Sequence, residues 1–202
     1  MPFPRLHALR HRRPPRRLAA GIVLLWMLAA QAATSDLDRL MELLAQRQHG
    51  HVTFTEVQHV ALLDRPLNSS GELLYEAPDR IEKRTFKPQR ESLVLDHGTL
   101  TIERGRRKHV LDLHEYPQIV PFIESIRATL AGDRAALEGV FRLEFVGNLE
   151  HWELQLAPLD QKLAGVVRQI RIAGAAADVQ TIEVQQADGD RSVMTIGDDV
   201  AP

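Results

Sequence analysis

Cysteine is absent from all 202 residues. No disulfide can staple the fold, and no thiol is present to take a lipid after export, so stability must come from a buried core. The first 32 positions hold no acid; they carry six arginines (Arg5, Arg10, Arg12, Arg13, Arg16, Arg17) and then the apolar run Leu18 to Ala30. Removing them leaves 19 Lys and Arg against 27 Asp and Glu, a formal charge of −8 where the whole chain has −2. So acidic a product has no basic stripe to displace counterions from phosphates, and nucleic acid is excluded as an expected partner. Internal repeats, low-complexity tracts and a second domain boundary are also missing, which leaves residues 33–202 as a single expected domain.

The order of basic stretch, apolar run and small triplet Ala30-Gln31-Ala32 is that of a secretory signal over 1–32, cleaved near Ala32. A membrane anchor is the competing reading. At about 1.5 Å per residue, however, the run reaches only about 20 Å of the roughly 30 Å hydrocarbon core. An exported chain of the remaining length can bury about 70% of its unfolded surface, enough for a core without staples.

Ser35 followed by Asp38 forms a capping-box pattern, and Leu37, Leu40, Met41 and Leu44 recur at helical spacing, so 35–48 reads as an amphipathic helix ending near Gly50. From Val52 the period changes to two. Pro66 to Gly71 reads as a turn-rich linker, and strands are expected at 71–76, 80–86, 91–96, 99–104 and 107–113, with breaks at Ala77-Pro78, Pro88, His97-Gly98 and Gly105. Phe122, Ile123, Ile126 and Leu130 make a helical stripe that stops at Gly132, and Asp133 caps a short third helix. Strand-like alternation returns over 141–146, 152–157, 167–173, 179–186 and 192–197. The expected class is α+β, mostly β: an unclosed antiparallel barrel of about ten or eleven strands. An N-terminal helix and a central helical lid would cover its concave side.

Gly71-Glu72-Leu73-Leu74-Tyr75-Glu76-Ala77-Pro78, then Pro88, Glu91-Ser92-Leu93-Val94-Leu95 and Asp96-His97-Gly98 together resemble the central signature of the LolA family of periplasmic lipoprotein carriers. Phe54-Thr55-Glu56 lies upstream where that family has a Phe-x-Gln strand, and Trp152 to Pro158 with Val167 to Ile172 resembles its paired strands around a Leu-x-Pro turn. The resemblance implies a half-barrel with a lid over an apolar hollow that carries acyl chains of a lipidated client between membranes. Its partners would be membrane-bound donor and acceptor proteins, and it would act as a monomer. Carrying acyl chains through water costs about 0.8 kcal/mol per methylene, and meeting that cost needs aliphatic surface; no cofactor and no catalytic group is called for. Strand alternation sets Leu73, Tyr75, Leu93, Leu95, Leu100, Ile102, Leu111 and Leu113 on one side of the sheet, and Phe122, Ile123 and Ile126 would face them from the lid. These side chains could equally fill an ordinary closed core. One departure from the family stands out: members carry an arginine before the proline of the first segment, bonded to lid carbonyls, and here that position is Ala77. Arg80, Arg84 and Arg90 lie nearby, but such arginines ordinarily face solvent. The chain therefore reads as a divergent branch whose client need not be a lipoprotein.

Other chemistry is less well supported. His49 with His51 and His109 with His114 lack a third ligand, so no metal is expected. Ser92, Asp96 and His97 have the residue types of a hydrolase triad but no Gly-x-Ser-x-Gly elbow, and Asp188-Gly189-Asp190 lacks the terminal glutamate of a calcium loop. Arg104 to Lys108 is a basic turn that could touch anionic headgroups. The alternative to carriage is an envelope sensor or scaffold that binds a protein segment at an exposed strand edge.

Overall fold

A computed structural model describes residues 35–115 and 120–200, without the side chains of residues 121 and 122. The secretory segment read over 1–32 lies outside the described residues. The first helix, α1 (Asp36–Ala45), opens on the expected capping box: the Asp38 amide donates to the Ser35 hydroxyl at 3.1 Å, and the Ser35 amide donates back to the Asp38 carboxylate at 3.2 Å. The Ser35 hydroxyl in turn donates to that carboxylate at 2.7 Å, and this bond, with help from Arg134, holds the Asp38 carboxyl below its ordinary range. The helix ends earlier than periodicity suggests because β1 (His49–His59) begins almost at once.

The chain then meanders through β2 (Leu67–Glu76), β3 (Arg80–Lys87), β4 (Glu91–Asp96), β5 (Thr99–Arg104) and β6 (Arg107–Asp112). Two expectations are corrected here. Leu67 to Ser70 is strand, not linker, because Leu67 pairs with Gln58 and Ser69 with Glu56 across the β1–β2 ladder. The last strand of this half stops at Asp112, and Leu113 instead opens a 3₁₀ turn, buried, with its amide donating to the Gly98 carbonyl at 3.0 Å. After α2 (Val120–Leu130) and α3 (Arg134–Glu138) come β7 (Phe141–Asn148), β8 (His151–Pro158), the short α4 (Gln161–Ala164), β9 (Val167–Ala175), β10 (Asp178–Gln186) and β11 (Arg191–Asp199).

All eleven strands form one antiparallel sheet in the order β6-β5-β4-β3-β2-β1-β11-β10-β9-β8-β7. Two meanders are thus joined where β1 meets β11, and the end strands β6 and β7 do not pair, so the barrel is unclosed. Register carries one face through both halves. Tyr75 stands opposite Ile81, Ile81 opposite Leu95 and Leu95 opposite Leu100; on the other side Met194 faces Ile182, Ile182 faces Ile172 and Ile172 faces Leu154.

The inner face is filled unevenly. Over β7–β9, Leu154, Leu156, Ile170 and Ile172 are fully buried with Phe141, Leu137 of α3 and Leu40, Met41 and Leu44 of α1. Each such side chain contributes about 1.5–3 kcal/mol of burial, so this half supplies the continuous core of the domain. Gly132 lets α2 end against α1: its φ is +65°, and a Cβ there would lie 2.1 Å from the Met41 carbonyl oxygen.

Candidate functional site

Beside the packed half the same face is hollow. A cavity of about 780 Å³ lies between α2, the strands β1 to β5 and the strands β10 and β11. That size falls within the roughly 300–1,000 Å³ typical of ligand pockets. Alternation places the floor. Leu73 and Tyr75 of β2, Leu93 and Leu95 of β4 and Leu100 of β5 all line it, and Ile123 and Ile126 of α2 line it from above. Ile102 and Leu111 share that face by register, opposite Leu93 and Leu100, but stand outside the lining toward the β6 edge. Leu113 is buried in its 3₁₀ turn, away from the lining. Phe122 lies in α2, and its side chain is outside the described residues.

The opposite wall was not anticipated. Val179, Ile182 and Val184 of β10 with Met194 and Ile196 of β11 line the cavity as fully as the first group does. Ile182 with Val184 and Met194 with Ile196 alternate in the sequence, while Val179 joins them across a register shift in the β9–β10 ladder. Their position facing Leu73 follows only from the pairing of β1 with β11, more than a hundred residues away in the chain.

Polar groups interrupt the apolar lining, among them Gln58 and the Arg47–Asp178 ion pair, and two more are set among the aliphatic side chains. At one end the Glu56 carboxylate accepts from Lys83 Nζ at 2.5 Å, Ser192 Oγ at 2.6 Å and Ser69 Oγ at 3.1 Å. Burial alone would raise the Glu56 pKa, but the hydrogen bonds from Lys83, Ser192 and Ser69 outweigh it and hold the carboxyl below its ordinary range. Lys83 also lies over the Phe54 ring, 5.0 Å from its centroid. Near α2, the buried Tyr75 hydroxyl has no hydrogen-bond partner among the described residues, and its desolvation pushes its pKa up.

The covering helix is tied down by its own arginine. Arg127 of α2 donates to Glu124 at 2.6 Å and to Asp79, in the β2–β3 turn, at 3.3 Å. Burial opposes its charge, but these acids more than compensate and raise its pKa. Arg80 pairs instead with Asp96 and Glu82, and Arg84 pairs with Glu82. The cation that spans helix and sheet thus comes from the helix, and the sheet supplies the acid two residues after Ala77.

Of the other candidate residues, His97 bonds the adjacent Asp96 at 2.5 Å, and with Ser92 they line a separate groove on the other face of the sheet. Ser92 touches Glu82 at 3.5 Å, the Asp188-Gly189-Asp190 turn joins β10 to β11, and Arg104 and Lys108 of the basic turn pair with Glu91 and Glu103. His51 bonds Glu72 at 3.0 Å.

Among protein families, the one described as outer membrane lipoprotein carrier protein LolA-like matches residues 29–199. No curated protein matches the sequence. Among solved structures, a LolA superfamily protein of Nitrosomonas europaea is 11% identical over 84% of this chain and 93% of its own, with a TM-score of 0.47. The Pseudomonas aeruginosa MucA/MucB complex gives 16% identity over 83% of this chain and 59% of that one, with a TM-score of 0.46. The lipoprotein LppX of Mycobacterium tuberculosis gives 9% over 83% and 96%, with a TM-score of 0.44.

Proposed function

Because this chain belongs to the LolA-like outer membrane lipoprotein carrier family, we propose that it is a periplasmic carrier. It takes the acyl chains of a lipidated client into the hollow and delivers them toward the outer membrane. The observation that carries the reading is the mostly aliphatic cavity between α2 and the curved sheet. A hydrocarbon chain seated there is removed from water at a gain of about 0.8 kcal/mol per methylene. The secretory segment at 1–32 would bring the protein to that compartment, and membrane-bound donor and acceptor proteins would load and empty it. No step of this cycle makes or breaks a covalent bond, so the protein is read as a binder and not as an enzyme.

The test is uptake of a fluorescent fatty acid by the purified protein. Leu93→Asp, which puts a charge in the cavity floor, should abolish uptake, while Ile102→Asp, on the same face but off the lining, should leave most of it. Equal binding by wild type and Leu93→Asp would refute carriage. A second reading, an envelope sensor that recognises a protein segment, draws on the unpaired edges at β6 and β7. It predicts a partner whose binding survives Leu93→Asp.

A further inference from the structure

Resting on the carrier reading, we propose that the Glu56–Lys83 pair is a head subsite of the hollow that recognises a neutral carbonyl, the ester or amide linkage at the start of an acyl chain. A cavity that only dissolved hydrocarbon would have no use for an ion pair in its wall, because both charges pay for desolvation there. In register Lys83 stands between Leu73 and Leu93, two residues of the apolar floor. The pair is held in a fixed geometry. Ser69 and Ser192 also donate to the Glu56 carboxylate, and the Phe54 ring supports the ammonium.

An ammonium has three donors, and among the described residues Lys83 spends one, on Glu56. The other two are left for acceptors in the hollow that Lys83 and Glu56 both line. Because Glu56 cancels the charge, the site offers strong donors without a net positive field. An uncharged carbonyl oxygen fits that combination. A carboxylate or phosphate would meet Glu56 at close range.

The test is displacement of N-phenyl-1-naphthylamine from the purified chain by methyl palmitate, hexadecane and palmitate. The affinity ratio of ester to alkane should fall about tenfold or more in Lys83→Met and in Glu56→Gln/Lys83→Met, the loss of one hydrogen bond to a charged group. Hexadecane should displace the dye as before, which also reports that the variants are folded. Lys83→Arg, which keeps donors, should retain most of the preference. In the wild type the ester carbonyl stretch should move to lower frequency on binding than in liquid hydrocarbon. An unchanged ratio in the variants, an unshifted stretch, or tighter binding of palmitate than of its methyl ester would each overturn the head subsite while leaving hydrocarbon binding intact. Failure of ester and alkane alike to displace the dye from the wild type would refute the carrier reading, and the subsite with it.

Discussion

Replacing Asp79 by Asn should loosen α2 without disturbing the sheet beneath it. The Arg127 side chain is 20% exposed and that of Asp79 33%, with 3.3 Å between Nη1 and Oδ1. At that separation the attraction is about 1 kcal/mol in bulk water and about 5 kcal/mol at an effective dielectric of 20. Partial desolvation and the ordering of both side chains return most of the larger figure, leaving about 1 kcal/mol for so accessible a pair. That is about a fivefold increase in the population with the helix lifted. Native-state amide exchange over residues 124–130 measures it directly, with the amides of β8 and β9 as the internal reference. Asp79→Asn should speed exchange in α2 about fivefold and leave Leu154 and Ile172 unchanged. Arg127→Met should do at least as much, and adding Asp79→Asn to it should do little more. Unaltered exchange in α2, or equal acceleration in β8 and β9, would refute the idea that this contact latches the helix.

Four further outcomes follow from the same structure. Leu154→Ala, in the packed half, should cost about 2–5 kcal/mol, whereas Leu93→Ala, beside space that already exists, should cost less than about 1.5 kcal/mol; chemical denaturation that gave equal losses would contradict the uneven filling. Gly132→Ala should destabilise by about 2 kcal/mol or more, from a left-handed backbone and a Cβ driven into the Met41 carbonyl, and an unchanged melting temperature would disprove that close approach. Tyr75→Phe removes a buried hydroxyl that has no partner among the described residues and should raise stability by about 1 kcal/mol in denaturant titrations, where a clear loss would reveal a bond that the structure does not display. The Glu56 pKa is depressed in the folded chain, so its stabilisation is complete above the ordinary glutamate value of about 4.3 and is lost as pH falls through the lower folded value. The gap in melting temperature between wild type and Glu56→Gln should therefore narrow between neutral pH and about pH 3; a constant gap would mean that the carboxylate is not held by its donors.

Much of the β2–β6 half was legible in the sequence because short turns punctuate it, and His97-Gly98 and Gly105 fall where hairpins reverse. Local signals failed where distant pairing decides. Pro66, Asn68 and the two serines read as a loop, yet β1 supplies a ladder that extends Leu67 to Ser70. The same physics explains the site. Leu73, Tyr75, Leu93, Leu95 and Leu100 could be put on one face by period two, but whether that face meets packing or space depends on which strands curl toward it. Ile182 and Val184 alternate no less clearly and were missed for that reason, with Val179 hidden further by the register shift between it and Thr181. Glu56 and Lys83 lie 27 residues apart, and only the ladders of β1 and β3 on either side of β2 bring them together. Arg127 carries no local signal of its role, because its partner Asp79 lies 48 residues away in the chain.

The unpaired ends of the sheet have a mechanical consequence. In a closed barrel, strand number and stagger set the bore, and widening it means breaking ladder hydrogen bonds. Here β6 and β7 do not meet, so a small change of twist at each ladder can spread the trough while every rung stays intact. Most of that compliance belongs to the β2–β6 wing, since the β7–β9 wing is pinned by α1 and the core behind it. One side of the trough is an anvil and the other a spring.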